Sequence, residues 1–323
     1  NSHVREEIDQ ELWSRALCRE IDYWGEKPIK GPIKSIFFGG GTPSLMEPKI
    51  VQNIVEKISS HWPIVDDIEI TLEANPTSAE ANKFKGFKSA GINRLSLGIQ
   101  SLDDNSLKFL GRQHDAASAI LALEMAFNIF PRLSFDMIYA LPKQTASDWK
   151  IELRKAINVG AGHLSLYQLT IEKGTPFYSL YKSGDLGPLD DETAIDLYET
   201  TYTETQEAGY SAYEVSNYAR VGHACVHNLG YWRYNDYIGI GPGAHSRVRT
   251  YNKEIYAVRQ HSKPEKWLDS VKFKGHGTAE NRELQGRESA EEMLMMSLRL
   301  KEGLDLQQFH KVIGLRLDDI VNR

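Results

Sequence analysis

Strand-like and helix-like stretches alternate at regular spacing through about residue 170, and few folds accept that order. Residues 36–38, 67–72, 94–98, 133–138 and 163–170 read as strands. Helical periodicity separates them at 48–58, 78–90, 103–110, 115–129 and 146–159. In 48–58 the apolar stripe is Ile50, Val51, Ile54, Val55 and Ile58. An amphipathic helix over 4–24, burying Ile8, Leu12, Ala16 and Ile21, is expected before the first strand. The order predicts a parallel sheet with right-handed crossovers, either an open doubly wound sheet or a full or partial (β/α) barrel. Polar residues end successive strands: Gly39 to Gly41, Glu73, Gln100, Asp136, and Gln168 or Thr170. Barrel strands share one mouth at these ends, whereas an open sheet gathers its ligand contacts at one switch point. The spread over five strands favours the barrel.

The first of those ends is Gly39-Gly40-Gly41-Thr42-Pro43. Three glycines permit positive φ and a close backbone approach, so bare N–H and C=O groups can grip a small polar ligand. The run is neither a Walker loop nor Gly-x-Gly-x-x-Gly. A tight strand-to-helix turn would use the same residues.

Hydrophobic content of 41% and charged content of 25% are those of an ordinary globular protein, long enough at 323 residues for one large domain and a smaller one. A net charge of −6 argues against a general nucleic-acid surface. No apolar run approaches a membrane span. Two distant cysteines, Cys18 and Cys225, indicate no disulfide framework, so a reducing compartment is expected.

The pattern changes beyond residue 180. A long helix over 190–208 precedes stretches rich in Tyr, Gly, His and Asn at 210–219 and 225–245. Residues 246–286 are polar and basic and read as irregular. A helix over 288–300 carries Met293, Met296 and Leu300 on one stripe, a core pattern. Another helix begins at 306. Three parts are expected: a barrel over 1–180, its extension with a ligand segment over 181–285, and the start of a helical, winged-helix-like domain over 286–323.

Several stretches, taken in order, resemble the radical S-adenosylmethionine superfamily, and within it the branch of oxygen-independent coproporphyrinogen oxidases and related haem chaperones. They are Phe-Phe-Gly-Gly-Gly-Thr-Pro-Ser-Leu (37–45), Leu-Glu-Ala-Asn-Pro (72–76), Gly-Ile-Asn-Arg-Leu-Ser-Leu-Gly-Ile-Gln-Ser (91–101) and Leu-Gly-Arg-x-His (110–114). Then come Phe-Asp-Met-Ile-Tyr-Ala-Leu-Pro-Lys-Gln-Thr (135–145), Leu-Ser-Leu-Tyr-Gln-Leu-Thr-Ile-Glu (164–172), His-Asn-Leu-Gly-Tyr-Trp (227–232) and Tyr-Ile-Gly-Ile-Gly-Pro-Gly-Ala-His (237–245). The resemblance implies a partial (β/α) barrel with S-adenosylmethionine across its mouth. Gly40, Gly41 and Thr42 would meet the methionine ammonium, which needs acceptor oxygens. Arg112 would pair with the carboxylate as a planar fork. Glu73, Gln100 and Asp136 match the remaining cofactor contacts.

The family also holds a [4Fe-4S] cluster through Cys-x-x-x-Cys-x-x-Cys, and this sequence has no such motif. Degeneration or truncation would explain that. Asn1-Ser2-His3 is similar to residues that follow the last cysteine in relatives, so truncation, with the first barrel strand missing, is expected. His-Asn-x-x-Tyr-Trp at 227–232 is similar to the signature of the haem chaperones. It implies His227 as a haem ligand, with His223, Cys225 and His245 as lesser candidates. The implied task is to bind haem and pass it to an acceptor protein, with an electron donor for the cluster. The alternatives are oxidative decarboxylation of coproporphyrinogen and a cluster-free cofactor-binding scaffold. Cytoplasm is the expected compartment in a bacterium, and an organelle is open to a eukaryotic chain.

Overall fold

The structure is a computed structural model that describes residues 9–29, 31–184, 186–187 and 189–321. Five parallel strands form its centre: β1 (Ile33–Phe38), β2 (Ile64–Ala74), β3 (Arg94–Gln100), β4 (Arg132–Tyr139) and β5 (His163–Gln168). The chain then turns back through β6 (Ser211–Ala212) and β7 (Asn217–Ala219), and the sheet runs β1-β2-β3-β4-β5-β7-β6 with the last two pairings antiparallel. This is the expected partial barrel.

The sheet is two-faced, as alternate side chains of a strand must point to opposite sides. Its convex face is apolar: Ile36 and Phe38, Ile70 and Leu72, Leu95 and Leu97, Leu133 and Phe135, Leu164 and Leu166 are all buried. Helices cover this face with Val51 and Ile54, Phe84 and Phe87, Leu123 and Ala126, and Trp149 and Leu153. The concave face is polar. Ser35 lies opposite Glu69, Thr71 opposite Arg94, Ser96 opposite Ser134, Ser134 opposite His163, and Asp136 opposite Ser165. Parallel sheets buried on both faces read as continuous apolar runs, so this alternation marks a polar interior.

Several boundaries differ from expectation. The first helix spans Gln10–Gly25, capped by Asp9, whose side chain accepts the Leu12 N–H. The expected turn before residue 9, with Ile8, lies outside the described residues. Leu12 is 42% exposed rather than buried; Ala16, Glu20, Ile21 and Trp24 form the inner face instead. The helix expected over 78–90 breaks into Ser78–Ala81 and Phe84–Ser89, and the break turns Phe84 and Phe87 fully into the core.

The larger correction concerns 246–286, which is ordered rather than irregular. Strands β8 (His245–Arg249), β9 (Ile255–Gln260) and β10 (Thr278–Leu284) form an antiparallel sheet in the order β10-β9-β8, with the helix Pro264–Lys274 between β9 and β10. Most of β10 is solvated on both faces, so its side chains carry no alternation to read. The helices Gly286–Ser297 and Leu306–Ile313 follow, and Met293, Leu300 and Phe309 are buried beside partly buried Met296, as the stripe predicts.

One carboxylate joins this region to the first helix. Glu20, fully buried, accepts Gly241 N–H (2.8 Å), Gly277 N–H (2.6 Å) and Trp267 Nε1–H (3.1 Å). Trp267 also stacks on Trp13 at 5.5 Å between centroids. Burial raises the Glu20 pKa, and the three donors oppose that rise. Removing the acceptor strands buried donors, each worth roughly 1–3 kcal/mol. Glu20→Ala is therefore expected to lower unfolding stability by about 3 kcal/mol or more, read from the denaturant midpoint, with Glu20→Gln losing less.

Candidate functional site

A cavity of about 210 Å³ opens at the C-terminal ends of β1 to β4. Gly40, Gly41 and Thr42 line it after β1, Glu73 and Asn75 at the end of β2, Gln100 after β3, Arg112 from the following loop, and Asp136 on β4. All seven residues named as expected cofactor contacts thus border one space. Gln168 and Thr170 do not. Gln168 instead donates to the Ala194 carbonyl at 3.3 Å, and the Thr170 hydroxyl donates to the Gln168 carbonyl.

Backbone geometry explains how these residues converge. Gly40 has φ +107°, and its N–H donates to Glu73 Oε2 at 3.1 Å. A Cβ on Gly39 would lie 2.6 Å from the Phe37 ring and 3.2 Å from the Glu73 carboxyl, so only glycine lets that carboxyl approach the loop. At the end of β3 the register to β4 slips between Leu97 and Gln100. Gln100, a non-glycine residue, sits at φ +70°. Such strain persists only where surroundings fix it. The next residues do so: Ser101 Oγ–H and Leu102 N–H both donate to Glu152 Oε1, at 2.5 and 2.7 Å. Gly98 leaves room for the returning Gln100 amide, which a Cβ there would meet at 2.9 Å. Arg112 is carried over the mouth by a loop tied down where His114 Nε2 meets the Ile99 carbonyl at 2.9 Å.

Sequence reasoning missed the residues beneath this layer. Glu80, buried, accepts Asn75 N–H at 2.7 Å and the Ser44 hydroxyl, so it fixes the β2 exit to the glycine loop. Asn75 and Ser96 also line the cavity. The available signal was alternation: Glu69-x-Thr71-x-Glu73, Arg94-x-Ser96 and Ser134-x-Asp136 put polar atoms on one face of strands that a parallel sheet buries.

The cavity carries two acids and one cation, Arg112, with Arg94 buried close enough to act on Asp136. Burial raises Glu73, the Gly40 N–H opposes the shift, and the neighbouring Asp136 charge adds to it. Burial pushes Asp136 up to about 6 against the Ser165 hydroxyl, Arg94 and Arg112. The Arg112 pKa is lowered by burial and supported by Asp136. The site therefore offers carboxylate acceptors, a guanidinium and bare glycine backbone to a zwitterionic ligand.

His227 lies outside this cavity. It belongs to the short helix Val226–Trp232, beside β1. Its Nδ1 meets Ser35 Oγ at 2.9 Å, its ring stacks on Phe37 at 4.9 Å, and Tyr231 meets it edge-on at 4.6 Å. Burial, with Arg94 adding, outweighs the Glu69 charge and lowers its pKa to about 4, so the ring is neutral at pH 7. Cys225 is buried, with its thiol on Glu69; His245 is exposed at the start of β8. Among the described residues no group of three His, Cys, Asp or Glu side chains is placed to hold a metal ion.

Asp136 supplies a stability test. An acid whose folded pKa is raised costs stability once it ionises, so stability falls as pH rises from about 4 through about 6. Asp136→Asn is expected to match the parent near pH 4 and to exceed it by on the order of 1–2 kcal/mol at pH 8, discounted for partial exposure, in urea titrations at both pH values.

Comparison with known proteins adds the family. Residues 17–156 match the model of the radical SAM superfamily, and 284–323 match the HemN C-terminal domain. Radical S-adenosyl methionine domain-containing protein 1, mitochondrial, of Danio rerio is 36% identical over 96% of this chain and 70% of its own length. Heme chaperone HemW of Escherichia coli (strain K12) is 34% identical over 99% of this chain and 83% of its own length, and that of Haemophilus influenzae 38% over 90% and 74%. The solved coproporphyrinogen III oxidase (HemN) of Escherichia coli superposes with a TM-score of 0.80 at 20% identity, over 98% of this chain and 74% of that one. The chain therefore belongs to the HemN/HemW-like branch of the radical SAM superfamily.

Proposed function

We propose that the chain is a haem chaperone, which binds S-adenosylmethionine in the strand-end cavity and haem through His227 and passes the haem to an acceptor protein. His227 carries the reading. A histidine that ligates haem iron must be unprotonated at the ligating nitrogen, held in one orientation, beside apolar surface for the porphyrin. The low His227 pKa, its Ser35 hydrogen bond and its Phe37 and Tyr231 neighbours supply those conditions. Relatives named heme chaperone HemW, at 34–38% identity, support the same reading. On it the compartment is the cytoplasm of a bacterium or an organelle of a eukaryote. No described helix is long and apolar enough to cross a membrane.

The cavity's donor set fits the cofactor. Free carbonyls at Gly40 and Gly41 with the Thr42 hydroxyl would take the methionine ammonium, and Arg112 its carboxylate. Glu73, Gln100 and Asp136 would take the hydroxyl and amino groups of the nucleoside. Bound there, S-adenosylmethionine would supply an electrophilic sulfonium, and the acids Glu73 and Asp136 would offset its positive charge within the cavity. A four-iron cluster does not fit the described residues, since Cys18 lies on the first helix and buried Cys225 contacts Glu69.

Two measurements test the assignment. Calorimetric titration with S-adenosylmethionine is expected to weaken by about tenfold per pH unit below 6 as Asp136 protonates, whereas Asp136→Asn should bind weakly with a flat profile. Haemin titration followed at the Soret band is expected to show binding that weakens by roughly 10–100-fold in His227→Ala. Parent-like haemin binding in that variant would move the site elsewhere. No haemin binding in the parent chain would overturn the chaperone and favour coproporphyrinogen oxidation, which anaerobic turnover of coproporphyrinogen III would detect.

A further inference from the structure

The segment that carries His227 hangs from one ion pair on the concave face. Glu69, on β2, is 1% exposed. Its carboxylate accepts the Cys225 thiol (3.3 Å), Val226 N–H (3.2 Å) and His227 N–H (3.1 Å). Arg132 Nη1 pairs with it at 2.9 Å, and Arg94 Nε stands at 3.9 Å. Arg132 also reaches the segment directly, its Nη2 donating to the Ala224 carbonyl at 2.7 Å. The Glu69–Arg132 pair therefore clamps residues 224–227 through three donors and one acceptor.

That arrangement separates two tasks. Ser35, on Nδ1, and Phe37 orient the imidazole itself, and on the proposed haem reading Nε2 would be the nitrogen for iron. The clamp decides where the backbone beneath the ring sits. A short helix has few hydrogen bonds of its own to resist displacement. Second partners of this kind govern metal affinity through the ligand they hold.

We infer that Glu69, held by Arg132, is the positioning residue of the haem site, fixing the backbone from which His227 presents its ring. The inference rests on the proposed haem reading, and it assigns Glu69 no contact with haem. Arg94 ties the same carboxylate upward: its Nη2 donates to Ser134 Oγ (2.9 Å), whose hydroxyl donates to Ser96 Oγ (2.9 Å) at the cofactor cavity.

The test uses the full chain, haemin as probe, and four variants: Glu69→Gln, Arg132→Gln, the double Glu69→Gln/Arg132→Gln, and His227→Ala. Because Glu69→Gln leaves the half-buried Arg132 without its acid, the double variant, which carries neither member of the pair, guards against misfolding. Circular dichroism and thermal melting establish which variants fold. Haemin affinity, the ferric EPR spectrum and amide hydrogen exchange over 224–232 are then compared. The expected result is a folded double variant with haemin binding weakened roughly 10–100-fold. Its EPR spectrum should be altered, and exchange over 224–232 should rise. Parent affinity and an unchanged EPR spectrum in the folded double variant, with binding still lost in His227→Ala, would overturn the inference. If His227→Ala binds haemin like the parent, the haem site falls, and exchange alone judges the clamp: unchanged protection over 224–232 in the double variant overturns it.

Discussion

A carboxylate withdrawn from water survives only where hydrogen-bond donors replace its hydration, and this fold turns that requirement into architecture. Glu69 on β2, Glu80 on the helix Ser78–Ala81 and Glu152 on the helix Ala146–Asn158 each turn their oxygens toward N–H or hydroxyl groups of neighbouring segments. None of these acids contacts the opening of the cavity; each holds a loop that does, or the segment carrying His227. Loops bury few apolar side chains and have little else to fix them. Charged acceptors supply stronger, directional bonds than neutral ones. The cost is that each acid must be satisfied completely, so loss of one donor is felt through the whole loop.

The two faces of the sheet divide the labour. The convex face is a hydrophobic surface sealed by helices and supplies stability. The concave face gives up apolar burial and carries instead the graded polar layers that end at Glu73 and Asp136. Strain is concentrated at the rim, where Gln100 holds a left-handed backbone conformation at φ +70°. Its position between Gly98 and the Glu152-bound Ser101 keeps the amide aimed at the cavity rather than relaxed into an extended strand.

Much of this was legible in the residues. Alternation of strand and helix leads to the parallel sheet because each helix needs a strip of apolar side chains to cover. The polar residues at the strand ends could be placed at one mouth because strand polarity is conserved around a barrel. Other features were hidden for physical reasons. Leu12 belongs to an apolar stripe by spacing, but Asp9 and the Trp13–Trp267 stack set the helix's rotation, and rotation is invisible in a moment of hydrophobicity. Strand β10 pairs through its backbone while its side chains stay solvated, so nothing in their polarity announces a strand. The role of Glu69 was hidden for a third reason: a buried acid looks like any exposed one until its distant partners, 156 to 158 residues later, are known.

Distance along the chain gives the Glu20 junction a consequence in time. Its helix is made early, but its two backbone donors come from Gly241 and Gly277, which lie 221 and 257 residues downstream. At ordinary rates of translation, on the order of 5–20 residues per second, tens of seconds separate the acid from its partners. During that interval the first helix can rest its apolar side on the growing sheet, but its inward acid has no native donors. The junction is thus a late closing step, which locks the two ends of the fold together only after the barrel between them has formed.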